Sequence, residues 1–238
     1  MLQALHKRRI EASIDVWSKI LKGELKSRDD VVEYLKNIYD EEGIEPIRGK
    51  TKINIYDKEL ATVFIVGRYG LGLDNDEIQK YFEIFTIEKR AEDVIAIILE
   101  GENPRTAITE KFGTVDENIV FRILRLAMTS VLLGFMKEDD FINLLFKFEE
   151  EFSEFFKKIQ GFKRFYIAFR LAEEIASGKV RNRIEKEALK HALCLRLKAE
   201  KVAPPDWLIR EIATKVIGAP EFRVNDALRT KSVEARIS

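Results

Sequence analysis

The chain has 238 residues, 46% apolar and 34% charged, with 16 Phe and a single Cys. That much apolar material fills a core and excludes a disordered chain, one Cys excludes an internal disulfide, and no apolar run reaches the roughly 20 residues of a membrane span. The 41 basic and 41 acidic residues cancel, yet residues 1–156 hold 22 Lys/Arg against 31 Asp/Glu, and residues 157–238 hold 19 against 10.

Helical spacing runs from end to end and predicts an all-α fold, a compact multi-helix array of about a dozen helices. Near the N-terminus, His6-Lys7-Arg8-Arg9 is followed by Glu11 and Asp15 rather than an apolar segment, so no signal peptide is read and the cytoplasm is expected. Ile10, Ile14, Trp17 and Leu21 stand at spacings of four, three and four, the stripe of a first helix. The longest stretch without helical spacing is 42–56 (EGIEPIRGKTKINIY); over 44–56 it leaves room for one short strand pair, with 52–56 as a strand. Residues 60–66 are apolar on every side, which predicts a central, fully buried helix.

Gly67-Arg68-Tyr69-Gly70-Leu71-Gly72 is the one Gly cluster. A phosphate loop should follow a strand and open a helix; this one follows a helix and leads to Asp74 and Glu77, so it reads as a helix end and a tight turn. Asn103-Pro104 opens a helix that Gly113 closes, and Thr114 with Glu117 forms a capping-box pattern for the next helix, which runs to Gly134. Residues 107–125 resemble a helix-turn-helix, with Gly113 at the turn and Val115, Ile119 and Ile123 (or Val120) holding the second helix down. Thr109 stands where a small residue is usual, and Asp116 and Glu117 occupy the positions that would meet phosphates, at a cost. A Phe-rich stripe (Phe141, Leu144, Leu145, Phe148, Phe152, Phe155) follows along 138–158. Gly178 and Gly218 end later helices, and Pro204-Pro205 sets off a final helical piece. The domain reading is a helical core over 1–202, acidic to 156 and basic over 157–202, then a terminal helical piece over 203–230 and a mobile tail over 231–238.

Chemistry-bearing patterns are sparse. His191 and Cys194 share a helix face with Glu187, but a zinc site would want four N or S ligands and there is no second Cys. Carboxylate runs such as Glu149-Glu150-Glu151 read as a solvated face. Neither a nucleophile elbow, a phosphate-binding Lys motif nor a Glu-x-x-His pair occurs, so no catalytic residue, metal or cofactor is assigned.

The basic region is the candidate site. Lys179, Arg183, Lys186 and Lys190 stand at spacings of four, three and four, and together they would form one cationic stripe able to track a phosphate backbone. Arg181, Lys163 and Arg164 belong to the same region, with Phe162, Phe165, Tyr166 and Phe169 interleaved. Two readings stand open: the charges meet RNA, DNA or a ribonucleoprotein, or they pair with the acidic region, in cis or across a homo-oligomer. An enzyme whose pocket has no sequence signature is a third.

The run Ile55-Tyr56-Asp57-Lys58-Glu59-Leu60-Ala61, continuing to Gly67-Arg68-Tyr69-Gly70-Leu71-Gly72, resembles a segment of the archaeal proteins grouped as domain-of-unknown-function family 2192. The resemblance implies coverage of most of residues 1–230 and a hyperthermophilic archaeal source, and it implies no activity or site residue. The composition agrees: Gln is limited to Gln3, Gln79 and Gln160 while Lys, Arg and Glu abound. The sequence thus points to a non-enzymatic helical protein that works by binding, with nucleic acid or a ribonucleoprotein as the leading partner.

Overall fold

A computed structural model describes residues 6–47 and 53–229. Of these described residues 77% are helical, in 12 α-helices and four short 3-10 or π-helical turns, and none is in a strand. The chain divides into two compact units, Met1–Phe162 and Lys163–Ser238. The boundary lies inside a helix, six residues past the change in charge balance; residues 203–230, expected as a piece apart, belong with everything from Lys163 onward.

The first unit holds α1 (Lys7–Leu21), α2 (Arg28–Glu42), α3 (Ile55–Ile65), α4 (Asn75–Gln79), α5 (Phe82–Leu99), α6 (Pro104–Phe112), α7 (Glu117–Leu132) and α8 (Glu138–Glu151). At its centre is α3, which packs against α1, α2, α5 and α7. Every residue from Lys58 to Ile65 is buried, so the all-round apolar run does mark the innermost helix. The strand expected over 52–56 is replaced by the start of that helix. Asn54 caps it, its side chain accepting from the Tyr56 amide at 2.9 Å, and Ile55 is already helical. Lys52 lies outside the described residues.

Close approach decides the Gly cluster. The Trp17 indole is fully buried, stacks on Phe85 at 5.0 Å and donates to the Val63 carbonyl at 2.7 Å. A Cβ on Gly67 would stand 2.2 Å from Trp17 Cε2, so only glycine lets the ring lie against α3. The chain continues in a π-helical turn, Val66–Gly70, and Gly72 takes φ +75°. Amides of Leu71 and Leu73 donate to the Val66 and Gly67 carbonyls and are not turned to a ligand. Asp74 then caps α4 in a box with Glu77, as the sequence indicates.

Three local expectations shift. On α1 the buried face is Arg9, Ala12, Ser13, Val16, Trp17 and Ile20, and Ile14 and Leu21 are exposed. The cap of α7 is Asp116, accepting from Asn118 and Ile119, rather than Thr114. The Phe stripe of α8 ends as a helix at Glu151; Phe152 stays buried but its φ of −118° and ψ of 68° turn the chain into a 3-10 turn, Ser153–Phe155.

The helix α9 (Phe156–Ala176) begins in the first unit, and its residues from Lys163 belong to the second, with α10 (Arg183–Arg196), α11 (Asp206–Glu211) and α12 (Glu221–Leu228). Gly178 and Gly218 take φ +78° and +80° after α9 and after the turn that extends α11. Pro205 stands at the cap of α11, where its missing amide costs nothing. α10 packs on α12, and α12 on α11.

Two substitutions test this core. Phe64→Ala, at a side chain with no exposure, should cost about 3–5 kcal/mol in chemical denaturation; a loss under about 1 kcal/mol would take α3 out of the core. Gly67→Ala should cost more than Gly70→Ala, because a Cβ at Gly70 meets only the Val66 side chain, at 3.5 Å and beyond, while one at Gly67 meets the Trp17 ring. Equal melting temperatures for the two variants would contradict the close approach.

Candidate interaction surface

The cationic stripe nominated from the sequence is not continuous. Lys186 is buried, its side chain 1% exposed, with Nζ 2.6 Å from Asp206 and 2.8 Å from Glu187. Lys163 is buried as well, with no exposure. Lys190 pairs with Glu187 at 2.7 Å, and Lys179 with Glu174 at 3.1 Å. Local geometry explains Lys186: it stands seven residues before Leu193 and eleven before Leu197, on the same face as both. Its stem runs with that apolar face, and its ammonium emerges at Asp206, in the first turn of α11.

Three of the seven nominated residues are exposed and meet no carboxylate among the described residues. Arg181 donates to the Gly178 carbonyl, and Arg164 to the Val202 carbonyl. Arg183, at the first position of α10, is exposed without such a contact. Lys201, next to the carbonyl that Arg164 meets, is likewise exposed and unpaired among the described residues. The exposed cations without a carboxylate are therefore fewer than the sequence implied: Arg164 and Lys201 near the middle of α9, and Arg181 and Arg183 between α9 and α10.

The helix-turn-helix likeness stops at the backbone. Gly113 takes φ +76° between α6 and α7, as such a turn requires. Yet α7 is buried from Val120 through Leu132 apart from Arg122, and it packs against α3, α5 and α8. Only its acidic first turn, Glu117 and Asn118, faces out. A reading helix has to present its face to a groove, and this one is enclosed. His191 and Cys194 do not form a joint site either. His191 is exposed while Cys194 is buried, and burial pushes the thiol above its usual value, away from the reactive thiolate.

What the sequence did not reveal is a buried ion network on α3. Glu59 has no exposure; it accepts from the Tyr39 hydroxyl at 3.1 Å, the Ile47 amide at 3.0 Å and Arg125 Nη2 at 2.9 Å, with Arg9 Nε 3.7 Å away. Next to it Asp57 takes Arg28 at 2.7 Å and also Arg122, and Arg28 clasps Glu88 at 2.8 and 2.9 Å. Burial lowers the affinity of Arg125 for its proton and raises that of Tyr39. The cavity between Asp57, Lys58, Glu88, Arg122 and Arg125 measures about 10 Å³. That is at most about one water, with no room for a substrate, so the network reads as scaffold.

The chain belongs to the archaeal family described as an uncharacterized protein conserved in archaea (DUF2192), whose model matches residues 3–228. No curated protein and no solved structure matches it. No described helix is long and apolar enough to cross a membrane.

Breaking the network from the Glu59 side should be severe. Glu59→Gln keeps the shape but leaves Arg9 and Arg125 without their buried counter-charge, a loss of about 3–5 kcal/mol. Urea unfolding measures it, and a variant as stable as the parent would show that the carboxylate is not the hub.

Proposed function

We propose that this protein works by binding in the cytoplasm, and that its partner is nucleic acid, alone or within a ribonucleoprotein, met by the second unit. One observation supports the reading above others: residues 163–238 carry 17 Lys/Arg against 10 Asp/Glu, and Arg164, Arg181, Arg183 and Lys201 stand exposed with no carboxylate against them among the described residues. Cations not neutralised within their own fold keep their attraction for a polyanion, and they contact phosphates without reading bases. The rival, in which the basic region mates with the acidic one, is weakened by the local pairing of Lys179, Lys186 and Lys190 with Glu174, Asp206 and Glu187. A source living at high temperature fits the same composition, rich in Lys, Arg and Glu and poor in Gln.

A filter-binding salt titration of the purified protein tests it, with generic duplex DNA and RNA as probes. Affinity should fall steeply with salt, the slope being about −0.9 per neutralised phosphate on duplex DNA. Arg183→Glu with Lys201→Glu should flatten that slope by roughly two units on every sequence and leave the melting temperature unchanged. No binding at about 50 mM salt, or a double variant that binds like the parent, would overturn the proposal.

A further inference from the structure

The small cavity in the ion network of the first unit is surrounded by more positive than negative charge among the described residues. Asp57, Lys58, Glu88, Phe121, Arg122 and Arg125 line it, and at about 10 Å³ it takes one particle the size of a water molecule. Its two carboxylates are committed. Both Glu88 oxygens accept from Arg28, and those of Asp57 meet Arg28 and Arg122. Glu59, just behind, is held by Arg125 and Arg9. Even with Arg9 left out, Arg28, Lys58, Arg122 and Arg125 stand against Asp57, Glu59 and Glu88, four charges against three.

Two of the lining side chains carry the surplus. Lys58 is buried, and the charges acting on it are Arg125 and Lys158, which repel it, and Glu59, which the two arginines already hold. Burial, and then Arg125, lowers the affinity of its amine for a proton. Lys158 lies 5.6 Å from the centre of the Phe121 ring and Lys58 6.0 Å, so a further cation stands close by. Arg125 is 4% exposed, and its Nε is buried with no hydrogen-bond acceptor among the described residues. A buried cationic N–H left in that way is costly. Water and an anion answer this need differently. A water molecule brings two O–H donors that want acceptors of their own, and the nearby carboxylate oxygens already accept from guanidinium groups. A halide only accepts, and it supplies the charge that the cluster lacks. We propose that the cavity is a binding site for one small monatomic anion of the size of chloride, held between Lys58 of α3 and Arg125 of α7. A tetrahedral oxyanion is too large for a place that fits one water. The ion acts as a counter-charge that ties the innermost helix to α7.

Urea unfolding of the full chain at constant ionic strength, with sodium chloride replacing sodium gluconate, reads the binding. The midpoint should rise with chloride, by roughly 1 M urea when chloride reaches about a hundred times its dissociation constant. The chloride-35 resonance should broaden on adding the protein and narrow again when bromide competes. Lys58→Met keeps the apolar stem and removes the surplus charge, so it should abolish both responses and leave the helical dichroism spectrum unchanged. Should that variant not fold, crystals of the parent chain soaked in bromide decide, with one anomalous peak expected between Lys58 and Arg125. A midpoint indifferent to chloride overturns the proposal and leaves water as the occupant. A Lys58→Met variant with the full chloride response overturns it too, as does a cavity without bromide. The site lies within the first unit, so the outcome is independent of the nucleic-acid titration, which relies on Arg183 and Lys201.

Discussion

The first unit is organised around one carboxylate with nowhere else to go. Glu59 sits on the innermost helix, and the groups that satisfy it come from three other helices and a loop: Arg9 of α1, Tyr39 of α2, Arg125 of α7 and the Ile47 amide. A buried charge without partners would cost several kcal/mol, so these elements have to converge on it. Compared with an apolar replacement, such a network adds little net stability. What it fixes is orientation, because only one rotation of each helix brings its partner to bear. The neighbouring Arg28 bridge to Asp57 and Glu88 ties α2 and α5 to the same turn of α3.

That constraint accounts for the way α1 departs from its sequence pattern. Read by spacing alone, Ile10, Ile14, Trp17 and Leu21 form the inner stripe. The helix instead rotates so that Arg9 reaches Glu59 and Trp17 lies flat against Gly67, which carries Ile14 and Leu21 outward. Apolar periodicity measures the average preference of a face and cannot weigh a single buried ion pair against two isoleucine-sized side chains. Lys58 and Glu59 were unreadable for the same reason: a charged residue beginning an apolar run looks like the rim of the core, and here it is the centre.

Where the decisive chemistry is local, the sequence was legible. Asn103 accepts from the Arg105 and Thr106 amides, Pro104 takes the first helical position and Gly113 ends that helix in the left-handed region, all within ten residues. The Asp74–Glu77 box and the glycines at 178 and 218 follow the same logic. The strand expected near 52–56 gives way to a local signal, since Asn54 two residues before Tyr56 is a cap in its own right. The all-helical class followed from these signals together with the helical spacing that runs between them.

The candidate surface was least legible because the net charge of a stretch of chain does not fix which side chains the fold leaves in water. Of the cations in the second unit, Lys179, Lys186 and Lys190 turn to carboxylates of their own unit, while Arg181 and Arg223 donate to carbonyls at the C-terminal end of α9. There they face the negative pole of the helix, a favourable place for a guanidinium that no net-charge count reveals. Lys186 could have been anticipated from its register with Leu193 and Leu197, and its burial has a second effect. A helix that places a lysine on its inner face has apolar side chains to spare on its outer one, and Ile184 and Leu195 occupy that outer face. The question of partners thus turns less on the number of positive charges along the chain than on which of them each helix leaves facing water.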